Sequence, residues 1–207
     1  MGAATKMTTP HQPAAVAAPS PRGYLGVAVK SAIEFIEQKG LGQKIKADAS
    51  PAARAQMEKP PGMMSWQDAA VLDELETLLV KHAGREACVA AGLYTARKLG
   101  GSLIQPVLKF ALQLFGNTPA TLFANLDRFY PMVTRGLSYG YEPLSETEGT
   151  VLLTAEGRAI PPALFDATQG NLTYVIEMTG ATGLVAPYRL RSTDDKSTVV
   201  DYVVRWS

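Results

Sequence analysis

The sequence is poor in the residues that most often hold metal ions. Its 207 residues include two histidines and one cysteine. A structural zinc site takes about four such ligands around one ion, so no metal site is predicted. The single cysteine, Cys88, cannot form an intramolecular disulfide and falls within an apolar helical pattern. A lone buried thiol is typical of a reducing compartment, and we expect a cytoplasmic protein.

The sequence also lacks an excess of either charge and lacks long apolar runs. Twenty basic and 19 acidic residues leave a formal charge of +1, which is too weak a field to attract nucleic acid or an anionic membrane surface. No stretch approaches the roughly 18 uninterrupted apolar residues of a membrane-spanning helix. Prolines interrupt the N-terminal region where a signal peptide would need a continuous apolar segment. No nucleic-acid partner and no membrane insertion are therefore predicted.

Motifs of the common enzyme classes are absent as well. No glycine loop has the strand-loop-helix pattern that cradles phosphate, and no serine lies in a Gly-x-Ser-x-Gly elbow. His82 ends a predicted helix, where an imidazole can cap free carbonyls and meet the negative end of the dipole. The acidic clusters are interpreted as a solvated helix face and as turn residues, and their members are Asp73, Glu74, Glu76, Glu142, Glu146 and Glu148. A non-enzymatic protein without a cofactor is predicted.

What the sequence does contain is the pattern of one α+β domain. Residues 1–22 are rich in Ala, Pro and Thr and are predicted to be a disordered tail, and residues 23–207 are predicted to form a single domain. Apolar residues then recur at helical spacing through the first part of this domain. The predicted segments are an extended start and helix over 24–38, a short helix within 46–62, and helices over 66–82, 85–99, 102–114 and 119–130.

Local signals predict where two of these helices begin and end. Ser65 precedes the segment 66–82, with Asp68 three residues further on, which resembles a capping box. Gly100 and Gly101 are expected to end the next helix. That helix carries small side chains that would let a neighbouring helix approach closely, namely Ala87, Cys88, Ala90, Ala91, Gly92 and Ala96.

The C-terminal part has the order strand-strand-helix-strand-strand. Apolar and polar residues alternate over 136–142 and 149–155, which is typical of half-buried strands. A helical pattern follows over 162–179, and two further strands are predicted over 188–191 and 198–206. The predicted fold is therefore an N-terminal helical layer packed on a four-stranded antiparallel sheet.

Aromatic and aliphatic side chains of this domain have two interpretations. They can fill the core, or they can line a cavity for an apolar ligand, with a few polar groups fixing the orientation of the ligand. The candidate ligand-binding residues are Phe110, Phe115, Phe123, Tyr139, Phe165, Thr168, Gln169 and Leu172.

Three segments resemble a known family. They are the stretch from Trp66 to Leu99, the stretch FGNTPATLFANLDRFYPMVTRGLSYGYE, and the ending VVDYVVRWS. Over residues 23–206 their pattern resembles an uncharacterised family of myxobacterial proteins of about 200 residues. That family is similar to the ligand-binding fold shared by heme-NO-binding domains, four-vinyl-reductase sensor domains and the transport-particle subunits that tether vesicles. The resemblance implies a ligand-binding fold, and the transport-particle subunits imply a homodimer.

Departures from these families limit what the resemblance implies. Heme-NO-binding domains use an axial histidine and a Tyr-x-Ser-x-Arg motif, whereas Tyr130 and Arg135 have the wrong spacing and no suitable histidine is present. The zinc site of the vinyl-reductase class needs several cysteines. Neither heme nor zinc is therefore expected.

These patterns lead to two functional hypotheses. The first is a cytoplasmic sensor or carrier that encloses a small apolar molecule between the helices at 102–130 and the sheet. The alternative is a homodimeric protein-interaction scaffold without a ligand.

Overall fold

The structure, a computed structural model, describes residues 22–102, 116–157 and 159–207. The predicted tail over 1–22 lies outside these residues except for Arg22, which is buried against the domain. The predicted helix over 102–114 likewise lies outside them except for its first residue.

The chain enters the domain as a short strand followed by three helices. Their bounds are β1 Gly23–Leu25, α1 Gly26–Gln38, α2 Gly42–Asp48 and α3 Pro51–Glu58. The extended start and helix predicted for the first segment are confirmed. Ser50 caps α3 by accepting a hydrogen bond from the backbone N–H of Ala53 at 3.2 Å, which satisfies a donor that has no partner inside the helix.

The next segment differs from its prediction at its start. Residues Trp66–Asp68 form β2, which pairs antiparallel with β1, and α4 spans Ala69–Ala83. The capping residue is Asp68, whose carboxylate accepts from the N–H of Ala70 at 2.8 Å, and the predicted Ser65 cap is wrong. The Ser65 hydroxyl donates to the carbonyl of Gly62 instead. Pairing with β1 holds this stretch extended, which delays the start of the helix.

Two predicted helix boundaries around the middle of the chain are also wrong. Helix α5 spans Arg85–Ser102 and continues through Gly100 and Gly101. A Cβ at Gly100 would overlap the Tyr174 hydroxyl, so packing against a neighbouring helix, rather than a helix end, accounts for this glycine. The single helix predicted over 119–130 consists of shorter pieces, which are α6 Pro119–Phe123, α7 Leu126–Phe129 and a 3-10 turn over Tyr130–Met132.

The C-terminal half confirms the α+β prediction and adds to it. Its elements are β3 Thr134–Arg135, β4 Leu137–Pro143, β5 Glu148–Glu156, α8 Pro162–Glu177, β6 Gly183–Val185, β7 Arg189–Thr193 and β8 Ser197–Trp206. The main sheet is antiparallel, with the order β4-β5-β8-β6 and with β7 also paired to β8. All four predicted strands are present, and β6 is a fifth. A second, small sheet has the order β2-β1-β3.

One face of the main sheet packs against α8. We call this region the sheet core, and its residues Val151, Leu153, Val200, Tyr202 and Val204 are all fully buried. The Tyr202 hydroxyl donates to the backbone carbonyl of Phe165 at 2.8 Å, so the polar end of this large side chain is satisfied.

Helix α5 lies across α8 at close range. A Cβ at Gly92 would overlap the carbonyl oxygen of Ala167, and one at Gly170 would overlap the carbonyl oxygen of Val89. Gly92, one of the small residues predicted to allow close helix approach, therefore does so, whereas Ala90 of the same set is exposed. Among the described residues, no helix combines the length and the apolar character needed to cross a membrane.

Candidate ligand cavity

A cavity of about 120 Å³ lies where the helical layer meets the small sheet and the first strand of the main sheet. It is lined by residues from α1, α4, α5, α6, α7 and α8, from the 3-10 turn, and from β1, β3 and β4. Its described lining consists of Tyr24, Leu25, Val27, Ala28, Leu72, Glu76, Gly92, Thr95, Ala96, Leu99, Leu122, Leu126, Phe129, Tyr130, Val133, Thr134, Leu137, Tyr139, Leu164, Ala167, Thr168, Asn171, Tyr174, Val175 and Met178.

Small side chains coincide with the empty space. Helix α5 contributes Gly92, Thr95 and Ala96 to the lining, while Ala28 comes from α1 and Ala167 from α8. Each of these residues fills less volume than the leucine or isoleucine common at core positions, and protein interiors otherwise leave few voids larger than a water molecule. The cavity is thus a consequence of side-chain size at positions where three helices meet.

Two tyrosines in contact, with their rings tilted relative to each other, form part of the wall on the sheet side. The ring centroids of Tyr130 and Tyr139 are 4.2 Å apart. Burial raises the pKa of both phenols above the ordinary value. Both side chains are therefore neutral near pH 7 and contribute aromatic surface to the cavity.

Two threonine hydroxyl groups of the lining bond within their own turn of chain. Thr168 donates to the carbonyl of Leu164 at 2.9 Å, and Thr134 donates to the carbonyl of Tyr130 at 3.1 Å. These bonds leave the methyl groups of both threonines available as apolar lining. The wall is mainly apolar, as expected for a small-molecule site.

The one carboxylic acid in the described lining is Glu76 of α4. Its Oε2 is buried and has no hydrogen-bond partner among the described residues. Burial, and next the negative charge of Asp73, raise the pKa of Glu76 well above its ordinary value. The interpretation of Glu76 as part of a solvated helix face is therefore wrong.

Helical spacing alone contained the signal that places Glu76 inside. Leu72 lies four residues before it and Leu79 three residues after it, and both are buried. Residues three and four apart share one face of a helix, so Glu76 belongs to the inner stripe of α4. Its acidic character led to the opposite assignment.

The neighbouring buried charges around Glu76 are paired. Arg22 forms a hydrogen-bonded ion pair with Asp73, and Arg85 donates to Asp166 at 2.6 Å. Each of these two carboxylates therefore has a guanidinium partner.

The eight residues predicted to bind a ligand are only partly brought together. Tyr139 and Thr168 line the cavity, whereas Phe110 and Phe115 lie outside the described residues. The other four are placed elsewhere: Phe123 against Tyr141 and Trp206, Phe165 against Tyr188, Gln169 bonded to the carbonyl of Val185, and Leu172 fully buried. A ligand-binding role for all eight stays a prediction.

His82 and Cys88, the histidine and the cysteine among the described residues, lie outside the cavity lining. The imidazole Nε2 of His82 lies 2.9 Å from a carboxylate oxygen of Asp48 at the end of α4. The thiol of Cys88 is buried, donates to the carbonyl of Ala163 at 3.4 Å, and has its pKa raised by burial. In the described part of the chain, no three His, Cys, Asp or Glu residues form a metal-binding group.

Comparison with known proteins identifies the fold. No family model and no curated protein matches the sequence. Among solved structures, an unliganded ferrous H-NOX protein from K. algicida is 10% identical, with a TM-score of 0.64 over 88% of this chain and 96% of that one. The chain has the H-NOX fold. An oxygen complex of an H-NOX domain related to soluble guanylate cyclases is also 10% identical, with a TM-score of 0.60 over 88% and 94% of the two chains.

This similarity confirms the predicted resemblance to heme-NO-binding domains at the level of the fold. A third solved structure, described for the mechanism of H-NOX activation, is 10% identical, with a TM-score of 0.61 over 88% of this chain and 96% of that one. The myxobacterial part of the resemblance stays a prediction.

Proposed function

We propose that this chain is a non-enzymatic cytoplasmic domain that senses or carries a small apolar molecule held in the cavity described above. The observation that carries the proposal is the cavity itself, a mainly apolar space between helices and sheet. Filling such a space with a ligand restores the dispersion contacts that its lining lacks. The H-NOX fold supports the proposal, because solved members of that fold include an oxygen-binding domain.

Size limits the ligand. An engineered apolar cavity of about 150 Å³ in another protein holds benzene, so a cavity of about 120 Å³ suits a molecule of that order. A porphyrin macrocycle is several times larger. The described lining also offers no imidazole or thiol, so these residues do not fit a heme, and the proposed ligand is the small molecule itself.

A cavity-filling substitution tests the proposal. Ala96→Leu places a larger side chain in the lining of the cavity, whereas Ala90→Leu changes an exposed position of the same helix. Toluene, added as a probe, is expected to shift the amide resonances of the cavity residues in the wild type and in Ala90→Leu. The Ala96→Leu variant is expected to lose this response while keeping a folded spectrum.

Native mass spectrometry supplies an independent measurement. A small-molecule adduct retained by the purified wild-type chain and lost in Ala96→Leu would support the proposal. A wild-type chain that carries no adduct and shows no response to toluene would contradict it. The predicted homodimer is read from the mass of the assembly in the same spectrum.

A further inference from the structure

The unpartnered carboxyl of Glu76 bears on the kind of molecule that the cavity takes. Glu76 is 8% exposed, it belongs to the cavity lining, and its Oε2 is buried without a hydrogen-bond partner in the described parts of the chain. A buried polar atom without a partner costs about 1–3 kcal/mol. Glu76 as a residue borders the cavity, so a molecule held there is the candidate partner for its carboxyl group.

The charges that surround Glu76 show which form of the carboxyl is present. Asp73 and Asp166 are the nearby acidic groups, and each is paired with its own arginine. No excess positive charge is therefore left to stabilise a second carboxylate among them. Burial and the charge of Asp73 outweigh the attraction of Arg22 and raise the pKa of Glu76 well above its ordinary value, which favours the protonated carboxyl group with its O–H donor.

The remaining lining makes a charged ligand unfavourable. Leucine, valine, alanine and aromatic side chains form most of the wall. An ammonium group would lose its hydration there, and Glu76 would have to ionise to pair with it, so two desolvation penalties would oppose one attraction. A neutral oxygen acceptor needs neither change, because a protonated carboxyl can donate to it directly.

We infer that the cavity selects an uncharged molecule with an apolar body and one acceptor oxygen, such as a small ketone, and that Glu76 donates a hydrogen bond to that oxygen. This inference rests on the proposed ligand-binding function and adds the chemical class of the ligand. Glu76 acts as a specificity-determining residue, and the apolar wall supplies the rest of the binding energy.

Three probes of matched size separate the alternatives at pH 6. They are cyclopentanone, its hydrocarbon isostere methylenecyclopentane, and cyclopentylamine, titrated by NMR into the wild type, Glu76→Gln and Glu76→Met. The measured quantity is the preference for ketone over hydrocarbon, given by the ratio of the dissociation constants of methylenecyclopentane and cyclopentanone for each protein. The cost of removing each probe from water is the same for all proteins, so it cancels when these ratios are compared. We expect this preference to fall about tenfold in Glu76→Met, as one lost hydrogen bond predicts, and to be kept within about threefold in Glu76→Gln, whose amide still donates.

Infrared difference spectroscopy tests the same contact without relying on the Met variant. The C=O band of a protonated carboxyl is expected in the wild type, absent from Glu76→Gln, and shifted by cyclopentanone but not by methylenecyclopentane. An equal ketone preference in the wild type and Glu76→Met, together with an unshifted band, would overturn the role of Glu76 while leaving the proposed function intact. Tightest binding of cyclopentylamine, lost in Glu76→Gln, would show instead that the site pairs a cation. If none of the probes binds the wild type, the proposed function itself fails.

Discussion

The sheet core and the cavity are both interior regions of one domain, yet they are packed in opposite ways. In the sheet core, large side chains such as Leu153 and Tyr202 are fully buried, and the Tyr202 hydroxyl has a partner. In the cavity, small side chains such as Ala28 and Ala96 line empty space, and Glu76 keeps an oxygen without a partner in the described residues. The contrast separates a filled region of the interior from the region to which we assign the proposed ligand.

Two buried carboxyl groups, one at the main sheet and one at the cavity, have pKa values shifted in opposite directions. Asp201 of β8 is fully buried at the sheet, and one of its oxygens accepts hydrogen bonds from Arg189 at 2.7 Å and Arg191 at 3.0 Å. Burial acts to raise the pKa of Asp201, but these two guanidinium groups lower it overall. For Glu76, burial and the charge of Asp73 outweigh the attraction of Arg22, and the pKa is raised well above its ordinary value.

The largest expected effect comes from emptying the sheet core. Leu153→Ala removes a fully buried side chain from a filled region, and we expect a loss of about 3 kcal/mol in the free energy of unfolding. Leu152→Ala on the same strand, where the side chain is partly exposed, is the matched control and should cost less than about 1 kcal/mol. Urea unfolding measures both. Equal losses at the two positions would show that the sheet core is not the filled region described here.

The next effect comes from the close approach of α5 and α8. A methyl group at Gly92 would overlap the carbonyl oxygen of Ala167, so Gly92→Ala is expected to cost about 1–3 kcal/mol through overpacking. Gly101→Ala in the same helix meets no atom and should gain about 0.5–1 kcal/mol from helix propensity. Thermal unfolding compares the two variants. If Gly92→Ala leaves the stability unchanged, α5 and α8 can move apart enough at this crossing to admit the methyl group.

A third effect is the pH dependence that Glu76 confers on stability. Because the pKa of Glu76 is raised in the folded state, the folded chain holds a proton that the unfolded chain releases. Its contribution to stability is therefore full below the unfolded pKa and is lost as pH rises through the folded pKa, at up to about 1.4 kcal/mol per pH unit. Urea titrations from acidic to mildly alkaline pH should give a shallower decline for Glu76→Gln. Burial also raises the pKa of Asp73 and Asp166, so these two residues add the same pH dependence to the wild type and to Glu76→Gln. If stability declines with pH equally in both proteins, the assignment of the difference to Glu76 is contradicted.

The smallest effect is expected at Asp201, with the opposite sign. A lowered folded pKa contributes stability that is present above the unfolded pKa and is lost as pH falls through the folded pKa. Asp201→Asn should cost about 1 kcal/mol near pH 7, a modest amount because both arginine partners are largely exposed. The difference between wild type and variant should shrink in acid. A difference that stays constant with pH would show that the ion pairs contribute nothing.

The order of elements in the C-terminal half could be predicted from the sequence because two periodicities change cleanly along it. Alternation of apolar residues gave β4, β5 and β8, and helical spacing gave α8. The short strands β2 and β6 were missed because three residues cannot show a period, and their pairing partners are far away in the sequence. The same long-range pairing moved the start of α4 away from Ser65.

For the site, the sequence could not separate a filled interior from a hollow one. Phe123 and Leu172 have the same apolar character as Leu122 and Val175, yet only the latter two line the cavity. Which side of a buried helix meets empty space depends on the sizes of residues contributed by other helices, and single-chain periodicity does not contain that information.

The sequence by itself determined the α+β class, the absence of an excess charge and the small-residue face of α5, because composition and local spacing are sufficient for these properties. Only the tertiary structure decided that this face crosses α8 beside a cavity and that Glu76 lies on its wall. The physical reason is that a cavity, or a buried oxygen without a partner, forms where no neighbouring group reaches. Which groups reach such a place depends on the packing of segments that are distant in the sequence.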